Sequence, residues 1–149
     1  LVERLRLACA GVSPPPQALD MVHADLSTPS NILVRDGAVA AVVDIGNAGS
    51  GTRAMDLTAL VWYSFHDPQL DDVRRRLWTR ILDQVNREGA AVLAATHILH
   101  MLEWPIRFGR HDADPEWVEP GNRAPDELNA RSVGPPPRPI PDPTPRALD

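Results

Sequence analysis

Four polar residues, placed around two short apolar stretches, could assemble a site for a metal ion and a phosphate group. His23 and Asp25 stand where a predicted strand gives way to a loop. Asn31 follows that loop, and Asp44 ends a second apolar run. A hairpin would bring the oxygen-bearing side chains together, and Mg²⁺ prefers such ligands, with substrate phosphates completing its shell. The spacing therefore predicts a magnesium–phosphate site.

Five short motifs follow one another between residues 23 and 59. They are His-Ala-Asp-Leu at 23–26, Asn-Ile-Leu-Val at 31–34, Val-Val-Asp at 42–44, Gly-Ser-Gly at 49–51 and Asp-Leu-Thr-Ala at 56–59. Their order and spacing resemble the catalytic core of the aminoglycoside phosphotransferase and choline kinase group, small-molecule kinases with a protein-kinase-like fold. Each motif alone is a weak signal, and the combination carries the resemblance. The resemblance is close over the first half of the chain and loose over the helices that follow.

The resemblance implies a role for three residues. Asp25 would be the catalytic base that accepts the proton of the substrate hydroxyl, where orienting the nucleophile matters more than strong basicity. Asn31 and Asp44 would hold Mg²⁺ on the phosphates of ATP, with Asp44 placed like the aspartate of the Asp-Phe-Gly motif in protein kinases. The alternative for each is an ordinary turn residue, because Asp and Asn side chains often close turns.

The loop between Asp25 and Asn31 departs from the family pattern. In that pattern four residues separate the base from the asparagine, whereas five separate them here. Either Pro29 accommodates a bulge and Asn31 still points at the metal, or Ser30 intrudes and the site is weakened.

Two further residues are expected to support this core. By resemblance, His23 lies beneath the loop and hydrogen-bonds to the backbone, although an imidazole can also act as a base near neutral pH. Asp56 begins a predicted helix, where aspartate is a favoured N-cap. By resemblance, it is instead a buried aspartate that braces the catalytic loop. We expect both residues to be structural.

The basic residues limit the fold assignment. All fifteen are arginine, so the lysine that holds the α- and β-phosphates in such kinases is not in this chain, and no Gly-rich loop precedes His23. We therefore expect an α+β fold of the protein-kinase-like C-terminal-lobe type, mainly helical with a small catalytic-loop β-hairpin. This lobe would span residues 1–131, without the nucleotide-clamping lobe. The proline-rich residues 132–149 carry no core-forming pattern and are expected to be disordered or extended.

Charge and apolar content exclude several classes of partner. A net charge of −5 argues against nucleic acid as a partner, because a phosphate backbone needs a basic face, and no apolar run approaches the roughly 18 residues of a membrane span. Cys9 is the single cysteine, which is typical of a reducing compartment. We expect a cytoplasmic protein whose partners are a nucleotide and a small-molecule hydroxyl substrate. Nothing in the sequence indicates an oligomeric state.

Strand signals surround the candidate site. Strands are expected at residues 18–23, 31–34 and 38–44, with Asp36-Gly37 forming a tight hairpin turn between the last two. The third of these is nearly all apolar, which predicts burial on both faces. The Gly-rich residues 48–51 are expected to form a flexible link.

Helical periodicity accounts for most of the remaining chain. The helix with the clearest apolar face is predicted over residues 70–87, with Arg74 among the charged residues on its other side. Trp104-Pro105 is expected to bend or end a central helix, and prolines at 120 and 125 to interrupt the last one. The predicted helices cover residues 1–10, 56–65, 70–87, 90–108 and 116–130.

Two other groupings have both a functional and a structural interpretation. His97, His100 and Glu103 could place metal ligands on one helix face, but the helix is largely apolar, which favours core or interface histidines. Trp104 and Trp117, the latter within an acidic segment, could line a pocket for a cationic substrate. A solvated acidic surface is the favoured interpretation.

The leading hypothesis is an ATP- and Mg²⁺-dependent phosphotransferase that acts on a small-molecule hydroxyl, with substrate contacts from helices after residue 65. One alternative is a non-catalytic kinase-like remnant that binds a ligand or partner, motivated by the absent nucleotide lobe and the longer loop. Another is a metal-dependent phosphohydrolase with His23, Asp25 and Asp44 as ligands. Relatives of this fold phosphorylate aminoglycosides, choline-like alcohols, amino-acid alcohols and sugars, so the motif does not imply antibiotic resistance.

Overall fold

A computed structural model describes residues 1–12, 18–26, 29–109 and 115–130. The fold is α+β, as predicted, with two small antiparallel strand pairs followed by a group of helices. The proline-rich tail at 132–149 lies outside the described residues. The helices are α1 (Val2–Ala8), α2 (Ala54–Tyr63), α3 (Asp71–Leu82), α4 (Arg87–Arg107) and α5 (Pro115–Ala130), and the strands are β1 (Asp20–Val22), β2 (Ile32–Arg35), β3 (Ala38–Val42) and β4 (Gly49–Gly51).

The hydrophobic core lies between the helices. Helix α4 packs against the other four, so the prediction that the helix over residues 90–108 is central is confirmed. Among the described helices, none has both the length and the apolar content needed to cross a bilayer. Each helix contributes at least one large buried side chain to the same cluster, including Leu5, Trp62, Trp78, Ile98 and Leu128.

The hairpin turn between β2 and β3 has the predicted chemistry. Asp36 and Gly37 both have positive φ, at 53° and 77°, as a type I′ turn requires. The strands pair antiparallel with Ile32 opposite Val42. The turn and the pairing fix where the two ends of this hairpin lie, and those ends carry the candidate site.

The prediction that the third strand is buried on both faces is wrong. Val39 is 64% exposed and Val42 46%, and on the partner strand Leu33 and Val34 are also exposed. Within the described residues, β2 and β3 make extensive contacts only with each other. An apolar strand is buried only where a second layer covers it, and no such layer covers this hairpin in the described chain. The hairpin therefore presents an apolar surface beside the candidate site.

Residues 48–51 are not a flexible link, because Gly49–Gly51 form strand β4. This strand pairs antiparallel with β1, placing Asp20 opposite Gly51 and Val22 opposite Gly49. A Cβ at Gly51 would lie 3.2 Å from Cγ2 of Val22, so the glycine permits a close approach of the two strands. The pairing joins the entry of the predicted catalytic loop to the start of α2.

The helix predicted over residues 70–87 ends earlier, at Leu82. Asn86 begins the next helix, and its side-chain oxygen accepts the backbone N–H of Gly89 at 2.7 Å. This N-cap stabilises a new helix start and thereby divides the predicted segment. Val85 nevertheless stays buried in the core, which is why the apolar periodicity continued past the end of the helix.

Arg74 is buried, contrary to the prediction that it faces solvent. Its Nε lies 3.1 Å from both carboxylate oxygens of Glu127, and its Nη2 donates to Asp71 at 2.5 Å. Its Nη1 donates to the backbone oxygen of Ser64 at 2.9 Å. The guanidinium also lies over the ring of Phe65, 4.4 Å from its centroid. A buried guanidinium is tolerated only when its donors are paired in this way.

The predicted interruptions of the last helix at Pro120 and Pro125 do not occur, and α5 runs without a break through both residues. Helix α4 includes Pro105 and ends two residues later, at Arg107, and a bend at Pro105 stays a prediction. One face of α5 is buried, with Ala124 and Leu128 only 3% and 2% exposed. Most of the stability of helices in proteins comes from packing of such a face, and here that packing outweighs the backbone hydrogen bonds that proline removes.

Candidate active site

The predicted catalytic loop leaves β1 and turns sharply at Ala24. This residue has a φ of 64°, in the left-handed region that residues with a Cβ seldom adopt. The carboxylate of Asp56, in the first turn of α2, accepts the backbone N–H of His23 and that of Ala24, each at 2.9 Å. The two bonds hold the strained backbone in place and fix the direction in which the chain enters Asp25.

Asp56 therefore braces the loop, which is the interpretation that the resemblance implied. The N-cap interpretation is wrong, because Arg53 occupies that position and no side chain caps the helix there. Asp56 lies inside the first turn instead, where a carboxylate also interacts favourably with the positive end of the helix dipole.

His23 is buried beneath the loop and bonds to backbone through both ring nitrogens. Nε2 lies 2.7 Å from the carbonyl oxygen of Val43, which can only accept a hydrogen bond. Nδ1 lies 3.3 Å from the backbone nitrogen of Asp25, which can only donate. The pairing assigns a proton to Nε2 and leaves Nδ1 as the acceptor. This is the structural role expected of His23 rather than that of a base.

Asn31 closes the loop from the opposite side. It is 4% exposed, and its Nδ2 donates to the backbone oxygen of Asp25 at 2.8 Å. It ends a 3-10 turn, Pro29–Asn31, in which Ser30 is exposed. Asn31 is thus directed inward, toward Asp25, while Ser30 faces outward. That Asn31 also points at a metal stays a prediction.

Val43 connects these elements to Asp44. Its N–H donates to the backbone oxygen of Asn31 at 2.9 Å, and its carbonyl oxygen receives Nε2 of His23. Asp44 itself is exposed and left-handed, with φ 59° and ψ 54°. Such backbone strain, about 1–3 kcal/mol per residue, persists where the surroundings impose it and is common at active sites. Hydrogen bonds therefore bring all four predicted site residues to one end of the hairpin: His23, Asp25, Asn31 and Asp44.

The donor set suits a magnesium ion completed by phosphate. Asp44 offers an exposed carboxylate, and the amide of Asn31 is oriented because its nitrogen already bonds to Asp25. Protein sites hold Mg²⁺ through one or two carboxylates, with waters and substrate phosphates filling the remaining positions. The residues present therefore fit a nucleotide-bound Mg²⁺ rather than a metal enclosed by protein ligands.

Neither of the other metal groupings assembles. Across the described ranges, no three His, Cys, Asp or Glu side chains form a group that could hold a metal ion. His97 lies in the helical core with its ring edge-on to Trp62, at 5.9 Å between centroids, while His100 is exposed and Glu103 pairs with Arg107 at 3.4 Å. A phosphohydrolase site also lacks support, because both ring nitrogens of the histidine it requires bond to backbone.

The two tryptophans proposed for a cationic pocket are only partly described. Trp104 is 55% exposed and packs against Phe108, with 4.6 Å between ring centroids. The side chain of Trp117 and residues 110–114 of the acidic segment lie outside the described part of the chain. The aromatic pair on α4 is therefore a surface feature next to the helical core.

Sequence reasoning missed three residues that shape the site. Val43 acts through its backbone, so no side-chain pattern could have indicated it. Asp20 and Arg53 form an ion pair beside the loop, at 2.7 Å between Oδ1 and Nη2. The pairing of β1 with β4 brings these two residues together, but the glycine residues of β4 show no strand pattern from which that pairing could be predicted.

Comparison with known proteins gives one match. The family model described as the phosphotransferase enzyme family matches residues 3–95. This range contains every residue of the candidate site and the elements β1 to β4 that position them. No curated protein and no solved structure is significantly similar to the chain.

Proposed function

The chain belongs to the phosphotransferase enzyme family, and on that premise we propose that it is a small-molecule kinase, transferring a phosphoryl group from ATP to a substrate hydroxyl. The observation that supports this most is the double bracing of Asp25. Asp56 holds the two amides before it, and Asn31 holds its carbonyl oxygen. A catalytic base in phosphoryl transfer must above all be positioned, because catalysis depends on alignment and electrostatics.

In the proposed reaction, Asp25 orients the substrate hydroxyl and receives its proton. The hydroxyl oxygen forms a bond to the γ-phosphorus as the bond from that phosphorus to the bridging oxygen breaks, and ADP leaves. Asp44 and Asn31 would hold Mg²⁺, which supplies positive charge that neutralises the phosphate oxygens. Asp44 is exposed, and Asp25 is half-buried, so Asp44 could reach a nucleotide that approaches from outside.

The second part of the proposal concerns the fold. We assign residues 1–131 to the C-terminal lobe of a kinase-like enzyme, with the apolar surface of the β2–β3 hairpin as the place where a nucleotide-clamping lobe lies. Two observations support this. Leu33, Val34 and Val39 are exposed beside the site, and the chain contains no lysine to hold the α- and β-phosphates. The single cysteine suits a cytoplasmic location.

The absence of lysine also favours the second candidate, a kinase-like remnant that binds a ligand without catalysis. The two candidates make different predictions for one experiment. Phosphoryl transfer from γ-labelled ATP to a panel of small-molecule alcohols would be measured for the 149-residue chain and for the chain joined to a nucleotide-binding lobe. The panel would include amino sugars, choline-like alcohols and amino-acid alcohols.

The matched variants are Asp25→Asn, at the proposed base, and Asp36→Asn, at the exposed hairpin turn, where asparagine tolerates the left-handed backbone equally well. We expect Asp36→Asn to retain transfer and Asp25→Asn to lose at least about 100-fold, as removal of a general base does. Equal transfer by both variants would contradict the role of Asp25. No transfer by any form, to any alcohol, would favour the remnant.

A further inference from the structure

Asp20 and Arg53 form a contact that runs parallel to the one between Asp56 and the loop. Oδ1 of Asp20 accepts from Nη2 of Arg53 at 2.7 Å, and Oδ2 accepts from Nε at 3.1 Å and from the backbone nitrogen of Arg53 at 3.2 Å. Asp20 lies three residues before His23, and Arg53 three before Asp56. Both contacts therefore join the same two segments, β1 with its loop and the start of α2. We name the Asp20–Arg53 contact the outer contact, and the contact of Asp56 with the loop the inner contact.

The two contacts have their carboxylates on opposite elements. In the outer contact the carboxylate lies on the strand, and in the inner contact it lies on the helix. Arg53 is the N-cap residue of α2, and Asp20 accepts its backbone N–H from another element, in place of the third helical residue that accepts it in a capping box. Strand β4 pairs with β1 just before this point. The outer contact thus fixes the register between β1 and the first turn of α2.

The added backbone bond and the link between two segments distant in sequence set this pair apart from the Glu3–Arg6 pair, which is also a fork. Exposed pairs usually contribute little to stability, because solvent screens them and holding two long side chains costs entropy. Here the guanidinium bonds to both carboxylate oxygens as a fork, and a backbone N–H adds a third bond. The hydrogen bonds from Arg53 hold the pKa of Asp20 below its ordinary value. The Glu3–Arg6 pair offers a contrast, because it joins residues of a single helix.

We propose that Asp20 and Arg53 are positioning residues for Asp25, because the outer contact sets the register in which Asp56 receives the amides of His23 and Ala24. If that register slips, the left-handed backbone at Ala24 loses the bonds that hold it. Asp25, the next residue, then loses its fixed direction. The expected effect on catalysis rests on the proposed function. The expected effect on the backbone of the loop, which is the structural half of the proposal, can be measured without turnover.

Amide hydrogen exchange of the 149-residue chain, followed residue by residue by NMR, tests the structural half. The variants are Asp20→Asn and Arg53→Met, with Arg6→Met as the control that breaks the pair within α1. We expect exchange at His23 and Ala24 to accelerate by about tenfold or more in both variants, because local opening exposes them. Exchange at core amides of α4 should be unchanged, as should every loop amide in the control.

A conservative variant and a kinetic readout complete the test. Arg53→Lys keeps the charge but not the fork, so it should restore part of the protection at His23 and Ala24. In an active form of the enzyme, Arg53→Met should lower kcat and leave the KM for ATP unchanged. Unchanged exchange at both loop amides would overturn the inference, as would acceleration that merely parallels the amides of α4. Absence of turnover in the wild-type chain would count against the proposed function alone, since the exchange result stands without it.

Discussion

The side-chain nitrogen of Asn31 donates a hydrogen bond to the backbone oxygen of Asp25 at 2.8 Å. The bond spans the loop that is one residue longer than the family pattern, and it turns Asn31 inward despite that length. An asparagine can do this and still offer an oxygen to a metal, because its amide carries both a donor and an acceptor. The residue proposed as a metal ligand thus also shapes the loop that presents the proposed base.

Replacing Asn31 by aspartate separates these two roles. Asn31→Asp keeps an oxygen ligand but loses the donor and places a carboxylate against the carbonyl oxygen of Asp25. We expect the free energy of unfolding to fall by about 1–3 kcal/mol, measured by urea denaturation, because a buried acceptor loses its partner. Asn129→Asp, on the exposed end of α5, is the control and should change the free energy of unfolding by no more than about 0.5 kcal/mol. Similar small changes in both would show that the bond does not hold the loop.

Asp56→Asn tests the bracing from the helix side. The amide that replaces the carboxylate offers one acceptor oxygen instead of two, so the N–H of either His23 or Ala24 loses its bond. We expect a loss of about 1–3 kcal/mol in stability and at least about a 100-fold drop in kcat wherever activity is present. Thermal unfolding followed by circular dichroism gives the first quantity. Asp83→Asn, at the exposed end of α3, is the control and should leave stability and kcat unchanged. If Asp56→Asn also left them unchanged, Asp56 would not brace the loop.

Arg74 and Arg75 are adjacent and provide a matched pair for the helical core. Each bonds to an aspartate three residues earlier, yet the side chain of Arg74 is 4% exposed and that of Arg75 67%. Arg74→Met removes the donor to the Ser64 carbonyl and leaves the Glu127 carboxylate with the more distant Arg123, at 3.7 Å, so we expect a loss of about 3 kcal/mol in urea unfolding. Arg75→Met should cost less than about 1 kcal/mol. Equal costs would mean that the buried network does not tie α3 to α5.

His97 should make stability depend on pH. Burial, aided by the charge of nearby His100, lowers the pKa of His97 from its ordinary 6.5 to about 4. The unfolded chain therefore binds a proton between these two values while the folded chain does not, so stability falls as the pH decreases through that window. Across this window the free energy of unfolding should fall by about 3 kcal/mol. Urea unfolding at pH 7 and pH 4 should show a smaller loss for His97→Leu than for wild type, and His66→Leu, at an exposed position, should behave as wild type. An unchanged loss in His97→Leu would contradict this assignment.

The Asp36-Gly37 turn was predictable from its local sequence, because its chemistry depends on two neighbouring residue types. The structural role of His23 and the bracing by Asp56 were predicted from the family resemblance, since Asp56 lies 33 residues from His23. The first helix and the central helix α4 were also accessible, since an apolar pattern reports directly on burial in a helical core.

The remainder depended on partners far away in the sequence. Arg74 looks like a solvent-facing residue until Glu127, 53 residues later, comes to lie against it. Strand β4 consists of glycine and serine and carries no apolar pattern, so only its pairing with β1 defines it. The third strand shows the converse error, because its apolar composition predicted a covering layer that the described chain does not supply. Each failure arises from contacts that form only in the folded chain.

Calorimetric titration with ATP tests the central claim most directly. It would use the 149-residue chain and the chain joined to a nucleotide-binding lobe, each with Mg²⁺ and with a chelator. We predict Mg²⁺-dependent binding that is retained by Asp36→Asn and weakened at least about tenfold by Asp44→Asn, because the carboxylate would hold the metal on the phosphates. Binding that is equally tight without Mg²⁺, or in Asp44→Asn, would contradict the account, as would the absence of ATP binding in both forms.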